Sequence, residues 1–262
     1  MHLFLWVMCG TGFVFLMTCL GAGTVLLFRK PPRENTQRVF LGFAAGVMIA
    51  ASVWGLLIPA IEEAQNSGLI AWVPAAIGFS VGILFMLSLD KLIPHLHPKS
   101  GLREGVSAPA KRTTLLLFAV TLHNVPEGMA VGLSFALAAQ HSDSSLYASA
   151  LALALGIGIQ NFPEGSAIAL PLRQEGMPRK KAFLYGCLSG TVEPVFGLLT
   201  AALAGAMIPL MPWLLAFAAG AMMYVVVEDL IPEARIDRHS HLGTLAVMGG
   251  FVLMMILDVA LG

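Results

Sequence analysis

Charged side chains are scarce in this sequence. Asp, Glu, Lys and Arg together make up 11% of its 262 residues, and hydrophobic residues make up 57%. A soluble domain carries roughly 25% charged residues, so this composition is typical of an integral membrane protein in contact with a lipid bilayer. The formal net charge is zero and no basic tract is present, which argues against nucleic acid as a partner.

Cysteine is equally sparse, and several common motifs are missing. The three cysteines, Cys9, Cys19 and Cys187, lie in apolar segments without CxxC spacing, which indicates small buried side chains and not a thiolate metal cage. No GxxxxGKS or GxxxxGKT loop is present, so we expect no ATP-driven pumping by this chain. No basic residues precede the first apolar run, which we therefore interpret as a retained membrane span and not a cleaved signal.

Long apolar runs predict the fold class. Crossing ~30 Å of hydrocarbon takes about 20 helical residues, and eight runs reach that length. They are Leu3–Phe28, Val39–Ala60, Leu69–Leu89, Thr114–Ala139, Leu146–Leu172, Ala182–Met207, Trp213–Pro232 and Leu242–Leu261. We predict an all-α integral membrane protein with eight transmembrane helices in one domain, residues 1–262, and one flexible connection, residues 91–112.

The basic residues predict the orientation of these spans. All 15 Lys and Arg residues fall in four alternate connections, within residues 29–38, 91–112, 173–181 and 235–238. The positive-inside rule makes that side cytoplasmic. We therefore predict a multi-pass protein of the cell's inner (plasma) membrane with both termini on the outer face.

Two spans share a pattern that indicates an inverted repeat. Phe43-Ala-Ala-Gly46 with Met48 and a later Leu57-Ile58-Pro59 in span two matches Phe217-Ala-Ala-Gly220 with Met222 and Leu230-Ile231-Pro232 in span seven. The two spans run in opposite directions in the predicted topology. We predict inverted repeats that relate spans one to three with six to eight, and span four with span five. This is typical of transporters that bind substrate at the membrane midplane; convergent small-residue packing is the alternative for the FAAG pair.

Polar residues interrupt two consecutive spans with nearly the same motif. Span four contains His123-Asn124-Val125-Pro126-Glu127-Gly128, and span five contains Gln160-Asn161-Phe162-Pro163-Glu164-Gly165. Residues three or four apart share a helix face, which places each Glu beside the Asn and the His or Gln of its own motif. Each Pro deprives a backbone carbonyl of its helical donor, so we expect a broken helix there. Each Gly allows another helix to approach closely.

A third carboxylate joins the two motif acids at the centre of the membrane. Span six contributes Glu193, next to Pro194, and counting at 1.5 Å per residue places Glu127, Glu164 and Glu193 near the midplane. Three ionised and unpaired carboxylates would cost on the order of 8–10 kcal/mol there. No Lys or Arg lies in any span, so the counter-charge must come from protons or bound cations. Protonated structural carboxyls are the alternative.

The side-chain types favour divalent transition metals. Carboxylates alone suit Mg2+ or Ca2+, whereas an imidazole shifts the preference towards Zn2+, Fe2+ and their neighbours. This mixture of one imidazole, carboxylates, amides and a candidate thioether binds with moderate strength, which favours transport over storage. We predict no organic cofactor and a metal site formed by Met48, His123, Asn124, Glu127, Gln160, Asn161, Glu164 and Glu193.

The paired motifs, the eight spans and Glu193 resemble the Zrt/Irt-like protein (ZIP) metal transporters, particularly their GufA-like bacterial branch, over essentially the whole chain. The resemblance implies a two-metal transport site. One metal would be held by His123, Glu127, Gln160 and Glu164, with Met48 nearby. The second would be held by Asn124, Asn161 and Glu193, with Glu127 and Glu164 bridging. Related sequences often have Asp at the position of Asn161, and the amide here removes one negative charge.

The resemblance also implies a homodimer that takes divalent metals, Zn2+ and related ions such as Fe2+, Mn2+, Co2+ and Cd2+, into the cytoplasm. The four-helix transport unit would move against the remaining helices. An intramembrane metal-dependent hydrolase with a metal-bound water is the main alternative. It is disfavoured because no HExxH is present and the near-symmetric motifs offer no distinct base. A metal-sensing or structural protein is disfavoured by the inverted repeat. We predict a secondary transporter, not an enzyme.

Further polar residues lie near the ends of the predicted spans. Histidines in cytoplasmic connections are candidates to pass metal on, acids near the cytoplasmic ends of spans three and seven are candidates to line an exit path, and two acids at the outer end of span two are candidates to attract cations. These are His95, His97, His239 and His241; Asp90, Glu228, Asp229 and Glu233; and Glu62 and Glu63. In each case an ordinary solvated or interfacial side chain is the alternative.

Overall fold

The structure, a computed structural model, describes residues 2–27, 34–92, 95–96, 103–104, 112–174, 176–204, 208–234 and 241–261. Nearly all of them are helical, which confirms the predicted all-α class. The α-helices are α1 (His2–Leu27), α2 (Glu34–Ala50), α3 (Ile58–Asn66), α4 (Trp72–Leu92), α5 (Arg112–His141), α6 (Ser144–Gln174), α7 (Arg179–Gly190), α8 (Val192–Ala204), α9 (Met211–Val225), α10 (Ile231–Ala234) and α11 (Leu242–Leu261). A 3-10 turn, Ile208–Leu210, precedes α9.

The helices match the predicted membrane spans. Among the described residues, seven helical segments are long and apolar enough to cross a membrane, and they coincide with seven of the predicted runs. The eighth run, Thr114–Ala139, lies within α5, whose 30 residues extend ~45 Å at 1.5 Å per residue. Large apolar side chains such as Leu27, Trp72 and Val259 point outward, as expected for surfaces that face lipid. The protein is a membrane protein.

The spans pack as two groups of four. In the first, α1 packs along α6 and against α7 and α8, while α5 packs against α6 and α8. In the second, α2 packs along α11 and α4 packs along α9. The groups meet where α6 contacts α2 and α11 and where α5 contacts α9. The first group, spans one, four, five and six, carries both polar motifs and Glu193.

The two FAAG segments make corresponding contacts within the second group. A Cβ added at Gly46 would meet the backbone of Val247 on α11, and one added at Gly220 would meet the backbone of Phe79 on α4. Membrane helices associate through such close small-residue contacts, because lipid offers no hydrophobic drive for them to pair. The glycine of each FAAG segment therefore allows close contact with the helix that packs beside it.

Spans two and seven also share an irregularity that their apolar sequences did not predict. A π-helical segment, Ala51–Leu57, joins α2 to α3, and another, Val226–Leu230, joins α9 to α10. Each ends at the Leu of a Leu-Ile-Pro sequence. Within the first segment, the carbonyl of Gly55 accepts a hydrogen bond of 3.5 Å from the Ser134 hydroxyl of α5. Such segments occur often at functional sites.

The expected break at each motif proline is wrong. Both α5 and α6 continue as helices through Pro126 and Pro163, since a proline removes one backbone bond while the bonds on either side maintain the helix. The break lies in span six instead, where Thr191 separates α7 from α8 two residues before Glu193.

The long connection between spans three and four contains a short hairpin that was not predicted. Strands β1 (His95–Leu96) and β2 (Arg103–Glu104) pair antiparallel, with His95 opposite Glu104. Residues 93–94, 97–102 and 105–111 lie outside the described part of the chain, so the predicted flexibility of this connection stays a prediction.

Candidate metal centre

The two motifs and Glu193 come together inside the first helix group. Helix α5 places Asn124 and Glu127 one turn apart, and α6 does the same for Asn161 and Glu164. None of the six described motif and span-six side chains exposes more than 6% of its surface: Asn124, Glu127, Gln160, Asn161, Glu164 and Glu193. The buried carboxylates of Glu164 and Glu193 are near enough to Glu127 to act on it electrostatically.

One hydrogen bond joins the two motif copies directly. The Gln160 amide donates from Nε2 to Oε1 of Glu127 over 2.7 Å. Both groups are fully buried, and a bond from a neutral donor to a carboxylate is stronger than one between two neutral groups. The link spans from α5 to α6 and fixes the Gln and Glu side chains opposite each other.

A second hydrogen-bonded group includes a residue that the sequence analysis missed. Thr18, buried on α1, donates its hydroxyl to Oε1 of Glu193 over 3.1 Å. Asn161 donates from Nδ2 to the same carboxylate oxygen over 2.8 Å and also to the Thr18 hydroxyl over 3.1 Å. Helices α1, α6 and α8 therefore meet at Glu193. A lone threonine in an apolar span gave no signal that it would reach this site.

The position of Glu193 follows from the break in span six. The residue lies in the first turn of α8, where the helix N-terminus favours a negative charge. Just before the break, the carbonyl of Ser189 accepts a 3.2 Å hydrogen bond from Nδ2 of Asn124. The broken span thus delivers a carboxylate to the site and a backbone carbonyl to the first motif.

The motif glycines explain how the four helices α1, α5, α6 and α8 approach so closely. A Cβ added at Gly128 would meet the backbone of Glu193, and one added at Gly165 would meet the backbone of Thr18. The predicted close approach of another helix at each motif glycine is confirmed, and each glycine lies against the residue which that helix contributes to the site. Any larger residue would push α8 or α1 away.

Several side-chain oxygens in the site have no hydrogen-bond partner among the described residues. These are Oδ1 of Asn124, Oε2 of Glu127, Oε1 of Gln160, Oδ1 of Asn161 and Oε2 of Glu193. A buried oxygen without a partner is costly and calls for a specific explanation, such as an ion. Carboxylate and amide oxygens are ligands for divalent cations, so this donor set fits a cation.

The described acids and histidines do not by themselves form a complete metal-binding site. Within the described ranges, no three His, Cys, Asp or Glu side chains are grouped closely enough to hold a metal ion. The bonds from Gln160 and Asn161 occupy one oxygen each of Glu127 and Glu193. A cation therefore requires these amides to turn their oxygens towards it.

Two further predicted ligands have a less defined position. The backbone of His123 lies on α5 one turn before Glu127, but its side chain is outside the described part of the chain. Met48 is fully buried on α2 within the apolar core, and its backbone carbonyl accepts a 2.8 Å bond from Ser52. Their roles as ligands stay predictions.

The two acids at the outer end of span two have different surroundings. Glu62 is exposed, whereas Glu63 is 5% exposed and lies 2.7 Å from Nε2 of His141 at the end of α5. Gln140 also donates to Glu63, over 3.4 Å. Both acids line a cavity of about 180 Å³ together with Asp143. The Glu63–His141 pair links the two helix groups, and the sequence pattern did not predict it.

The other peripheral candidates are described only in part. His241 and Glu228 are exposed, and Asp229 lies in the second π-helical segment. His97 and His239 lie outside the described residues, as do the side chains of His95, Asp90 and Glu233. None of these is connected to the buried site by a described contact, so their proposed roles stay predictions.

The fold and site together define a polytopic membrane protein with a buried polar centre at the junction of three spans. A protein-family model described as ZIP Zinc transporter matches residues 103–258. The chain is 39% identical to human "Zinc transporter ZIP11", over 97% of this chain and 96% of the relative. It is 38% identical to "Zinc transporter ZIPB" of Bordetella bronchiseptica (95% and 79%) and 39% identical to "Zinc transporter GufA" of Myxococcus xanthus (94% and 94%). The chain belongs to the ZIP zinc transporter family.

Proposed function

We propose that this chain is a secondary transporter that carries Zn2+ and related divalent transition metals across the membrane into the cytoplasm. The observation that carries the proposal is the group of buried oxygens on Asn124, Glu127, Gln160, Asn161 and Glu193 without partners among the described residues. Family membership supports metal transport. The amides of the site can bond either to the carboxylates or to an ion. An ion can therefore be bound and released.

The ion would first bind between the two motif copies. His123 and Glu127 on α5 and Gln160 and Glu164 on α6 are its ligands, with Met48 from α2 nearby. The bond of 2.7 Å between Gln160 and Glu127 supports this pairing, since it places a carboxylate and an amide across from each other. The second ligand set, which the family resemblance implies, is Asn124, Asn161 and Glu193, with Glu127 and Glu164 shared.

The proposed direction of transport follows from the predicted topology. Both termini lie outside, residues 1–262 form one transporter domain with inverted repeats, and the chain acts as a homodimer in the plasma membrane. The paired FAAG contacts and the two π-helical segments ending at Leu57 and Leu230 support the repeat. The group of α1, α5, α6, α7 and α8 would move as a unit against the others, because it contains the whole polar centre.

The hydrolase alternative has no observation in its favour. The relatives are named as zinc transporters. Hydrolysis by a metal-bound water also needs a separate base and room for a substrate. The carboxylates of Glu127, Glu164 and Glu193 are instead packed between helices at 6% exposure or less.

Uptake into vesicles tests the proposal. Purified protein in proteoliposomes is presented with Zn2+, Fe2+, Mn2+, Co2+, Cd2+ and Mg2+ at two pH values, and internal metal is measured. We expect saturable uptake of Zn2+ and of some other transition metals but little Mg2+, because an imidazole ligand favours the former. Uptake no faster than that of protein-free vesicles for every ion would refute the proposal.

A further inference from the structure

The Asn161 amide lies between Glu193 and Thr18, inside the second ligand set that the family resemblance implies. Its Nδ2 donates to Oε1 of Glu193 and to the hydroxyl of Thr18, and the amide also interacts with the carboxylate of Glu127. It therefore stands between two of the carboxylates that a second ion would have to share. Two N–H groups with partial positive charge face oxygens that would otherwise face the ion.

Thr18 reinforces this arrangement from a fourth span. Its hydroxyl donates to Oε1 of Glu193 while accepting from Asn161, so the three side chains form a closed hydrogen-bonded triangle. All three are 1% exposed or less. The close contact of Gly165 with the Thr18 backbone holds α1 in the position that this triangle needs.

The charges of the site also favour one bound divalent ion over two. Glu127, Glu164 and Glu193 are the three carboxylates of the centre, and no Lys or Arg lies in any predicted span. One divalent cation leaves a single negative charge, which the donors Thr18 and Asn161 stabilise on Glu193. Two divalent cations would leave an uncompensated positive charge in a buried, low-dielectric site, which is strongly disfavoured.

We infer that this transporter carries one metal ion at a time in its midplane site, because the Thr18–Asn161–Glu193 triangle replaces the second ion. The inference rests on the proposed function and assigns Glu193 and Asn161 a positioning role instead of a ligand role. Asn161 then sets the number of ions bound, and its replacement by Asp opens the second position by supplying a fourth carboxylate and removing the N–H donors.

Counting bound zinc tests the inference. Protein in lipid nanodiscs is equilibrated with buffered Zn2+, and metal per chain is measured by mass spectrometry. The double variant Glu127→Gln/Glu164→Gln measures zinc bound elsewhere, for example at loop histidines, and its value is subtracted. We expect one buried ion in the wild type, two in Asn161→Asp, and one again in Asn161→Asp/Glu193→Gln. Asn35→Asp adds the same charge at an exposed position and is expected to leave the count at one.

The outcomes separate the inference from the proposed function. Two buried ions in the wild type would overturn the inference while supporting a metal site. A well-folded Asn161→Asp that still binds one ion would also overturn it. Equal zinc in the wild type and in the Glu127→Gln/Glu164→Gln variant would instead refute the proposed site itself. If Asn161→Asp does not fold, the wild-type count alone decides.

Discussion

The Gln160 amide donates to Glu127 across the two motif copies over 2.7 Å. For the carboxylate and the amide oxygen to bind an ion together, the amide has to rotate so that Oε1 replaces Nε2. The hydrogen bond therefore competes with the ion for the same carboxylate. This competition is a physical reason for moderate affinity, which a transporter needs in order to release its ion.

Gln160→Glu tests that competition. The variant replaces a hydrogen-bond donor by a fourth carboxylate, so we expect Zn2+ to bind roughly tenfold more tightly, which corresponds to ~1.4 kcal/mol, and to be released more slowly. Vesicle uptake would then show a lower KM together with a lower maximal rate. A lower rate with an unchanged or higher KM would show that Gln160 does not limit affinity in this way. Gln65→Glu, at an exposed position on α3, is the matched control.

The motif glycines give a test of the helix contacts. In Gly128→Ala the new methyl group meets the Glu193 backbone, and in Gly165→Ala it meets the Thr18 backbone. We expect each variant to lose about 1–3 kcal/mol of unfolding free energy and to transport zinc more slowly. Gly12 and Gly249 have no neighbour within 4 Å of an added Cβ, so their Ala variants serve as controls. Thermal unfolding in detergent that ranks the four variants alike would contradict this packing.

Thr18→Val removes a hydroxyl that bonds to a buried carboxylate. We expect a loss of about 1.5–3 kcal/mol of unfolding free energy and a change in the KM for zinc, because Glu193 is no longer held in place. Thr18→Ser restores the hydroxyl and is expected to recover both values. Thr200, whose hydroxyl bonds to Phe196 and Gly197 of its own helix among the described residues, provides the comparison. An altered stability with an unchanged KM would limit Thr18 to a structural role.

His123 supplies the imidazole of the proposed site. We expect His123→Ala to weaken zinc binding more than Asn161→Ala does, because an imidazole is a strong zinc ligand, whereas the Asn161 amide donates to Glu193 and Thr18. Titration calorimetry on both variants measures the two losses side by side. A larger loss in Asn161→Ala would remove His123 from the ligand set.

The sequence predicted the membrane spans and the centre of the site well, for simple physical reasons. Long apolar runs allow few structures in a bilayer, and acids such as Glu127 and Glu193 stand out against that background. Thr18 could not be found in this way. A threonine in an apolar helix commonly bonds to its own backbone, and the Thr18 hydroxyl does lie 3.2 Å from the Val14 carbonyl as an alternative acceptor. Only the folded chain shows which other group it meets.

The local backbone was harder to predict. Hydropathy alone does not distinguish an α-helix from a π-helix. The apolar pattern therefore could not predict the π-helical segments that end at Leu57 and Leu230. The effect of the motif prolines was overestimated, since α5 and α6 remain helical. The break lies at Thr191 instead, three residues before Pro194.

The proposed transport depends on Glu127 and Glu164, the two carboxylates that would hold the transported ion. The most direct test is zinc uptake into proteoliposomes by Glu127→Gln and Glu164→Gln, each of which keeps the side-chain volume while removing one charge. Glu62→Gln, at an exposed position, controls for the loss of an acid. We predict that both motif variants lose uptake while Glu62→Gln retains most of it. Uptake at the wild-type rate in both motif variants would contradict the account.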